Sequence, residues 1–369
     1  MTSTRKTLLI GLILLIGMAF VLPANTTAAD KAEPEIVWKA QSSWPAGSGL
    51  HYLQMRTLDF IENWTHGRVK FERYAANEIV PGYETWNAVQ RGIIPVGMAC
   101  TCYTMSKDWL SGLYCSAPGL GPVEKAAFYH GTKGVRESKN YETPVWKLLE
   151  KTMKDKFGVQ VFPSAMQTTE TFLYSTKPIN SIEDLKKLKI RSVGVRGDVF
   201  KAAGASVVGM PAGEITPALE RGVIDAAEFA NFFGDIPMGF ADAAKYVYFD
   251  PYSSSPSNLM LFINQKEWEK VPADLQKLIK EAAFESFKWS LAESLFLDFL
   301  TMPIAEKKHG AEIASIPLEV GEYLKTTAIE FYRQKGKEDP TVAEYMKYYD
   351  EFFVDQGYDK YVDYIDDLL

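Results

Sequence analysis

The sequence predicts an α/β fold of two lobes with a central ligand cleft and one long bracing helix. Three observations carry this reading. Strand and helix patterns alternate over residues 36–99, and the same alternation restarts near Val159. A single amphipathic run then extends from about Ala273 to His309. Alternation of this kind builds parallel sheets with right-handed crossovers. A single larger doubly wound domain is the alternative, and the restart near Val159 argues against it.

The first 29 residues read as a processing signal. Arg5 and Lys6 form a basic start, Leu8 to Leu22 is an apolar run of 15 residues, and Thr26-Thr27-Ala28-Ala29 offers small residues for cleavage. A membrane span needs about 20 apolar residues. The chain after the signal is expected in an exported compartment. In the first lobe, Ile36–Ser43 reads as a strand running into a polar loop. Leu53, Met55, Leu58, Ile61 and Trp64 recur at helical spacing, and Thr65-His66-Gly67 closes that helix. Val69–Tyr74 alternates as a strand with one buried face; helix 84–90 and a strand from Gly92 to Ala99 follow. The second lobe reads as strand 159–163, helix 181–187 with Ser181 as N-cap, strand 188–192, helices 199–203 and 215–221, and strand 224–228.

The run from Ala273 shows Leu275, Leu278, Ile279, Ala282, Phe287, Leu291, Leu295 and Phe299 on one face. Pro272 sits where a helix start tolerates it, and Pro303 is placed to kink the helix or end it early. At 1.5 Å per residue, about 36 residues span about 54 Å. That exceeds one lobe, so the helix should touch both. After Asp339-Pro340 comes a tyrosine-rich amphipathic tail, which reads either as a helix packed on its own chain or as a dimer contact. The division is therefore 1–29 signal, 30–157 with 253–300 as lobe I, 158–252 with 301–340 as lobe II, and 341–369 as the tail.

The net charge is −7, and without the signal's two basic residues it is −9. Scattered charge of this sign excludes a nucleic-acid partner, which needs clustered Lys and Arg. It does not exclude an anionic ligand, because one arginine in a dry cleft outweighs a screened surface field. The three cysteines are Cys100, Cys102 and Cys115. Cys100 and Cys102 fall two apart on one strand, facing the same way, which disfavours pairing with each other. All three read as small buried apolar groups, with a Cys102–Cys115 bridge as the alternative. C-x-C without a second ligand pair is a weak metal signal. His51, His66, His130 and His309 are scattered and read as surface or loop residues. There is no phosphate-binding loop, zinc-protease motif or nucleophile elbow.

The segment Lys187–Gly194 places Arg191 at the end of a short apolar strand just before a glycine. Strand ends at a cleft are where open α/β sheets bind ligands, and a guanidinium fork matches a carboxylate. Arg196 lies past the strand end and reads as solvated. Leu219–Phe229 reads as a helix end, a glycine turn and a buried strand ending in Glu228-Phe229. These segments, with Glu78-Ile79-Val80-Pro81-Gly82 and the long helix, resemble the TRAP (tripartite ATP-independent periplasmic) solute-binding proteins, nearest their α-keto-acid-binding branch.

The resemblance implies a two-lobe periplasmic binding protein, not an enzyme. It would capture a small organic carboxylate and hand it to TRAP membrane permease subunits, driven by an ion gradient. Arg191 would pair with the ligand carboxylate. Glu170, beside Gln167, falls where the branch has a glutamine touching ligand and cation; both residues read equally as hydrogen-bonded loop residues. Glu228-Phe229 matches a Glu-Trp pair in which the glutamate helps bind a metal ion, sodium or calcium, and the aromatic packs on the ligand. The second glutamate of that cation site would fall near Ser254, so the set at Glu228 is incomplete. Asn231 follows closely enough to add a polar contact. Trp44 and Tyr103 lie on loops facing the cleft, where they either wall it or only pack. The branch's long tail implies a homodimer. Phe229 in place of tryptophan also suits a larger aromatic carboxylate. A reading from another class, an exported hydrolase using Glu170 and Glu228 as paired carboxylates, lacks a nucleophile motif. On this reading Arg191→Ala abolishes binding with little loss of stability, and Arg196→Ala is the harmless control.

Overall fold

Two sheets carry the structure, a computed structural model that describes residues 33–104, 108–116, 120–130, 143–250 and 256–355. The signal segment 1–29 and Ser254 lie outside the described residues. Among those residues no helix is long and apolar enough to cross a membrane.

The first sheet has the order β2-β1-β3-β10-β4. Its strands are β1 (Ile36–Ser42), β2 (Val69–Tyr74), β3 (Val96–Cys100), β4 (Val159–Met166) and β10 (Asn258–Asn264). β1 pairs parallel with β2 and β3, as the βαβ pattern requires, and β10 runs antiparallel between β3 and β4. The second sheet has the order β11-β9-β5-β8-β6-β7. It contains β5 (Leu173–Ser175), β6 (Lys189–Arg191), β7 (Ser206–Val208), β8 (Ala226–Ala227), β9 (Tyr246–Phe249) and β11 (Glu312–Ser315).

β4 corrects the sequence reading, which starts the second lobe with it. All seven residues of β10 are buried, and they pair with β4 along its whole length. Local patterning cannot announce a partner about a hundred residues downstream. The chain therefore crosses between sheets in three places: at residues 167–172, between β9 and β10, and through the long helix.

The helix after β1, Gly49–Trp64, is capped by Ser48, whose side chain accepts from His51 N. Helix Ile182–Lys186 begins at Ser181, whose hydroxyl accepts from Asp184 N. The long helix spans Ala273–His309, starts after Pro272, and ends at Gly310 in the left-handed conformation that glycine adopts freely. It runs through Pro303. Its first half buries Leu275, Ile279, Ala282 and Phe287 as expected. Its second half does not follow the expected face: Leu295 and Phe299 are 64% and 75% exposed, and Ser290, Ser294 and Asp298 are buried instead. These groups are committed to the crossing segment and to helix Phe232–Asp235. Met166 N donates to Ser290 Oγ at 2.8 Å, Thr168 N to Ser294 Oγ at 3.3 Å, and Phe233 N to Asp298 Oδ1 at 2.8 Å. The apolar stripe gives way because backbone N–H groups at the crossing need acceptors.

His130 is a second correction. It is 3% exposed, ringed by Tyr114, Trp146, Phe284 and Phe287, and burial pushes its pKa down to about 3. It is a neutral core residue. In the tail, helix Pro340–Asp355 packs on its own chain. Tyr345 and Tyr349 are buried, and Tyr129 Oη donates to Tyr345 Oη at 3.0 Å.

Candidate functional site

The site forms where strand ends and crossings meet. After β1 the chain turns through Ser43 and Trp44. Gln41 fixes the loop opposite: its Oε1 accepts from Ile79 N and Val80 N, and its Nε2 donates to the Val80 carbonyl. That loop comes so close that a Cβ on Gly82 would stand 2.4 Å from the Ser43 carbonyl oxygen. β3 ends at Cys100 and turns at once into the 3₁₀ turn Thr101–Thr104, which carries Cys102 and Tyr103. Trp44 Nε1 donates to Tyr103 Oη at 3.1 Å. The crossing segment supplies Gln167 and Glu170, the end of β6 supplies Arg191, and the end of β8 supplies Glu228 and Phe229.

Seven of the eight residues singled out in the sequence line one cavity of about 30 Å³: Trp44, Tyr103, Gln167, Glu170, Arg191, Glu228 and Phe229. A second cavity of about 400 Å³ shares Trp44 and Tyr103 and adds Tyr83, Pro211 and Glu214. Asn231 does not reach the first cavity. Its Oδ1 caps helix Phe232–Asp235 by accepting from Gly234 N, and its Nδ2 donates to Ser294 Oγ at 2.7 Å. It ties the long helix to the crossing segment.

Arg191 is 1% exposed. Its Nε and Nη2 donate to the Met210 carbonyl at 3.1 and 3.0 Å, and its Nη1 to the Glu228 carbonyl at 2.7 Å. Most of the fork is thus spent on backbone, which corrects the expectation that its loss leaves stability untouched. Carbonyls do not cancel its charge, and the nearest carboxylate oxygen, on Glu228, is 3.8 Å away. The guanidinium also lies 5.5 Å from the Phe229 ring centre.

Arg196 is the largest correction. It is not solvated but 9% exposed, on helix Gly194–Ala202 in the cavity wall. Its Nη1 donates to Glu170 Oε2 at 2.6 Å and lies 3.7 Å from Glu228 Oε2. A signal was present: a first-turn arginine opposes the helix dipole and needs carboxylates to hold it. Glu228 Oε1 accepts from Ser192 Oγ at 2.7 Å and Val193 N at 3.2 Å. Glu170 also accepts from Ser257 Oγ. Burial pushes the Glu170 carboxyl up to about 7, with Arg196 opposing and Glu228 adding to the rise. Lys125, fully buried, donates to the carbonyls of Cys115 and Pro256; burial lowers its ammonium to about 7. Sequence reasoning missed Lys125 and Ser257, since neither sits in a motif.

Cys100, Cys102 and Cys115 also line the cavity. Their sulfurs lie within 4.8 Å of one another, with Cys100 Sγ in bonding contact with both others. The expected strand geometry fails because β3 stops at Cys100. The turn brings Cys102 back, and its N–H donates to Cys100 Sγ at 3.1 Å. A sulfur forms one disulfide, so three cysteines hold one bridge and one thiol.

The model of one protein family, DctP, described as bacterial extracellular solute-binding protein, family 7, matches residues 43–334. The chain belongs to this family. Among DctP relatives, a monocarboxylate 2-oxoacid-binding periplasmic protein of Nostoc sp. is 29% identical over 263 residues, covering 71% of this chain and 69% of its own. A TRAP transporter solute-binding protein of Bordetella bronchiseptica superposes with a TM-score of 0.80 at 22% identity, covering 90% of this chain and 97% of its own. That structure is a mixed-occupancy dimer with copurified calcium and picolinate in one active site. A TRAP periplasmic solute-binding protein of Colwellia psychrerythraea, solved with calcium and pyruvate, gives 0.77 at 24% identity over 89% and 99%. These likenesses establish the two-lobe fold of DctP proteins. DctP proteins are bacterial extracellular solute-binding proteins. The hydrolase alternative finds no support here: Arg196 sits between Glu170 and Glu228, so neither carboxylate stands as a free acid–base partner to the other.

Proposed function

We propose that this DctP protein captures a small monocarboxylate, most simply a 2-oxo acid, in the cavity beneath Trp44 and Tyr103. It would do so in the periplasm and deliver the ligand to TRAP membrane subunits. The observation that carries this reading is a buried donor. Gln167 is 0% exposed and lines the cavity, and among the described residues its Nε2 has no hydrogen-bond partner. Asn231 N donates to Gln167 Oε1 at 3.3 Å, which fixes the amide with its NH₂ toward the cavity. A buried unpaired donor costs about 1–3 kcal/mol, and a ligand carboxylate beside Arg191 relieves it. Calorimetric titration with pyruvate tests this: wild type binds and Gln167→Leu loses at least about tenfold in affinity.

The residues present do not suit a resident cation. Glu170 Oε2 already takes a guanidinium N–H, and Glu228 Oε1 takes two donors. We infer that Arg196 supplies the positive charge that calcium supplies in the Colwellia relative. Pyruvate affinity is then unchanged by a chelator. The second cavity favours a second reading, an aromatic carboxylate, because Trp44, Tyr83 and Tyr103 would wall its ring. Phenylpyruvate in the same titration separates the two.

For partners, we propose a homodimer through the exposed strip Leu295, Phe296, Phe299 and Leu300 on the long helix. Contiguous apolar surface of this kind marks association sites. Light scattering on the purified protein reads the mass directly.

A further inference from the structure

The structure assigns Cys100 as the shared sulfur of a thiol–disulfide exchange site in the wall of the ligand cavity; we propose that Cys100–Cys102 and Cys100–Cys115 are alternative bridges of one relay. Both partners are in reach without moving the backbone. The Cα separations are 5.3 Å to Cys102 and 6.2 Å to Cys115, inside the range that disulfides span. Cys100 and Cys115 are buried, whereas Cys102 is half-buried at the cavity.

Accessibility orders the steps. The Cys102 thiolate attacks an external disulfide, forms a mixed disulfide and releases one thiolate. The Cys100 thiolate attacks the Cys102 sulfur and expels the second. Two cysteines are oxidised, the external disulfide is reduced to two thiols, and the cysteine protons pass to the departing thiolates. The Cys115 thiolate then attacks Cys100 Sγ, forms Cys100–Cys115 and returns Cys102 as a thiol. That last step exchanges a proton and carries no net oxidation. The co-reactant is therefore a small or protein-borne disulfide, the class that an oxidising compartment holds.

The wall would move with the relay. Cys102 precedes Tyr103 in one 3₁₀ turn, and Tyr103 holds Trp44. Cys102 also meets the start of helix Gly194–Ala202: a Cβ on Gly194 would stand 2.8 Å from Cys102 Cβ. On the other side, Cys115 Sγ lies 3.5 Å from Ser257 Oγ, which donates to Glu170. A bridge at Cys102 holds the Tyr103 turn back on β3. A bridge at Cys115 releases that turn and takes the thiol proton away from Ser257.

The test is a peptide map of the whole protein, equilibrated in a glutathione redox buffer, quenched in acid, alkylated and digested with trypsin. Cleavage after Arg91, Lys107 and Lys125 puts Cys100 and Cys102 on peptide 92–107 and Cys115 on peptide 108–125. An internal bridge leaves 92–107 two hydrogens lighter; a Cys115 bridge joins the two peptides. The expected result is one alkylated cysteine per chain, divided between Cys102 and Cys115 within about tenfold. Cys102→Ala then gives only the joined peptides, and Cys115→Ala only the internal bridge. Alkylation at a single position in wild type, labelling of Cys100 in the bridged protein, or three thiols holding stoichiometric zinc or copper each overturns the proposal. The map uses no ligand, so its failure leaves the carboxylate reading standing.

Discussion

At the residue scale, the two arginines divide the work that the sequence assigns to one. Arg191 is both a charge for the ligand and a donor to two backbone carbonyls. Arg191→Ala should abolish pyruvate binding and also destabilise the fold by about 1–3 kcal/mol for the buried acceptors left unpaired, read by urea denaturation. Unchanged stability would mean that its donors are not used. Arg196→Ala strands two buried carboxylates and should cost about 3–5 kcal/mol; it is no longer a control. Glu170 makes the site sensitive to pH. Protonating it removes a negative charge beside the ligand, so affinity should rise about three- to tenfold from pH 8 to pH 6. Glu170→Gln should flatten that dependence. If a cation held Glu170 and Glu228 together with the ligand, the slope would have the opposite sign. The stability term follows the same group. Its folded pKa of about 7 lies above its usual 4.5, so its contribution is fully present below about 4.5 and is lost as pH rises through 7. Comparing the melting temperatures of wild type and Glu170→Gln at pH 5 and pH 8 reads this difference.

At the element scale, the loops around Trp44 depend on one close approach. Gly82→Ala would place a methyl carbon against the Ser43 carbonyl, and both sides are backbone. The loop must shift, so ligand affinity should fall at least about tenfold while the far-ultraviolet circular dichroism stays that of wild type. The long helix shows what periodicity can and cannot convey. The spacing of Leu275, Ile279, Ala282 and Phe287 names its first buried face correctly. The same spacing carried on to Leu295 and Phe299 fails, because serines and Asp298 there serve as acceptors for the crossing segment. Phe299→Glu should leave the far-ultraviolet circular dichroism that of wild type, since the side chain is exposed on the protomer. If the strip is the dimer contact, the same change halves the mass in light scattering.

At the scale of the whole molecule, the order of elements was legible and their pairing only in part. Parallel β1, β2 and β3 follow from local alternation. The placement of β4 does not, because its partner β10 arrives only after β5–β9 of the second sheet. For the site, the family resemblance singled out the strand-end residues Arg191, Glu228 and Phe229, and the fold brings them to one cavity wall. Arg196 and Ser257 were not legible, since only the tertiary fold turns them toward one cavity, nor was Lys125, which is buried on the Cys115 and Pro256 carbonyls. Asn231 caps a helix beside the cavity instead of lining it, and an N-cap and a ligand contact look alike in sequence. Closure of the two lobes on ligand should lower the radius of gyration in solution scattering; an unchanged radius at saturation would contradict a hinge. The central claim is that the cavity selects a carboxylate, and paired calorimetric titrations with pyruvate and its neutral amide test it most directly. The account predicts binding of the acid and at least about a hundredfold weaker binding of the amide; equal affinity for the two would contradict it.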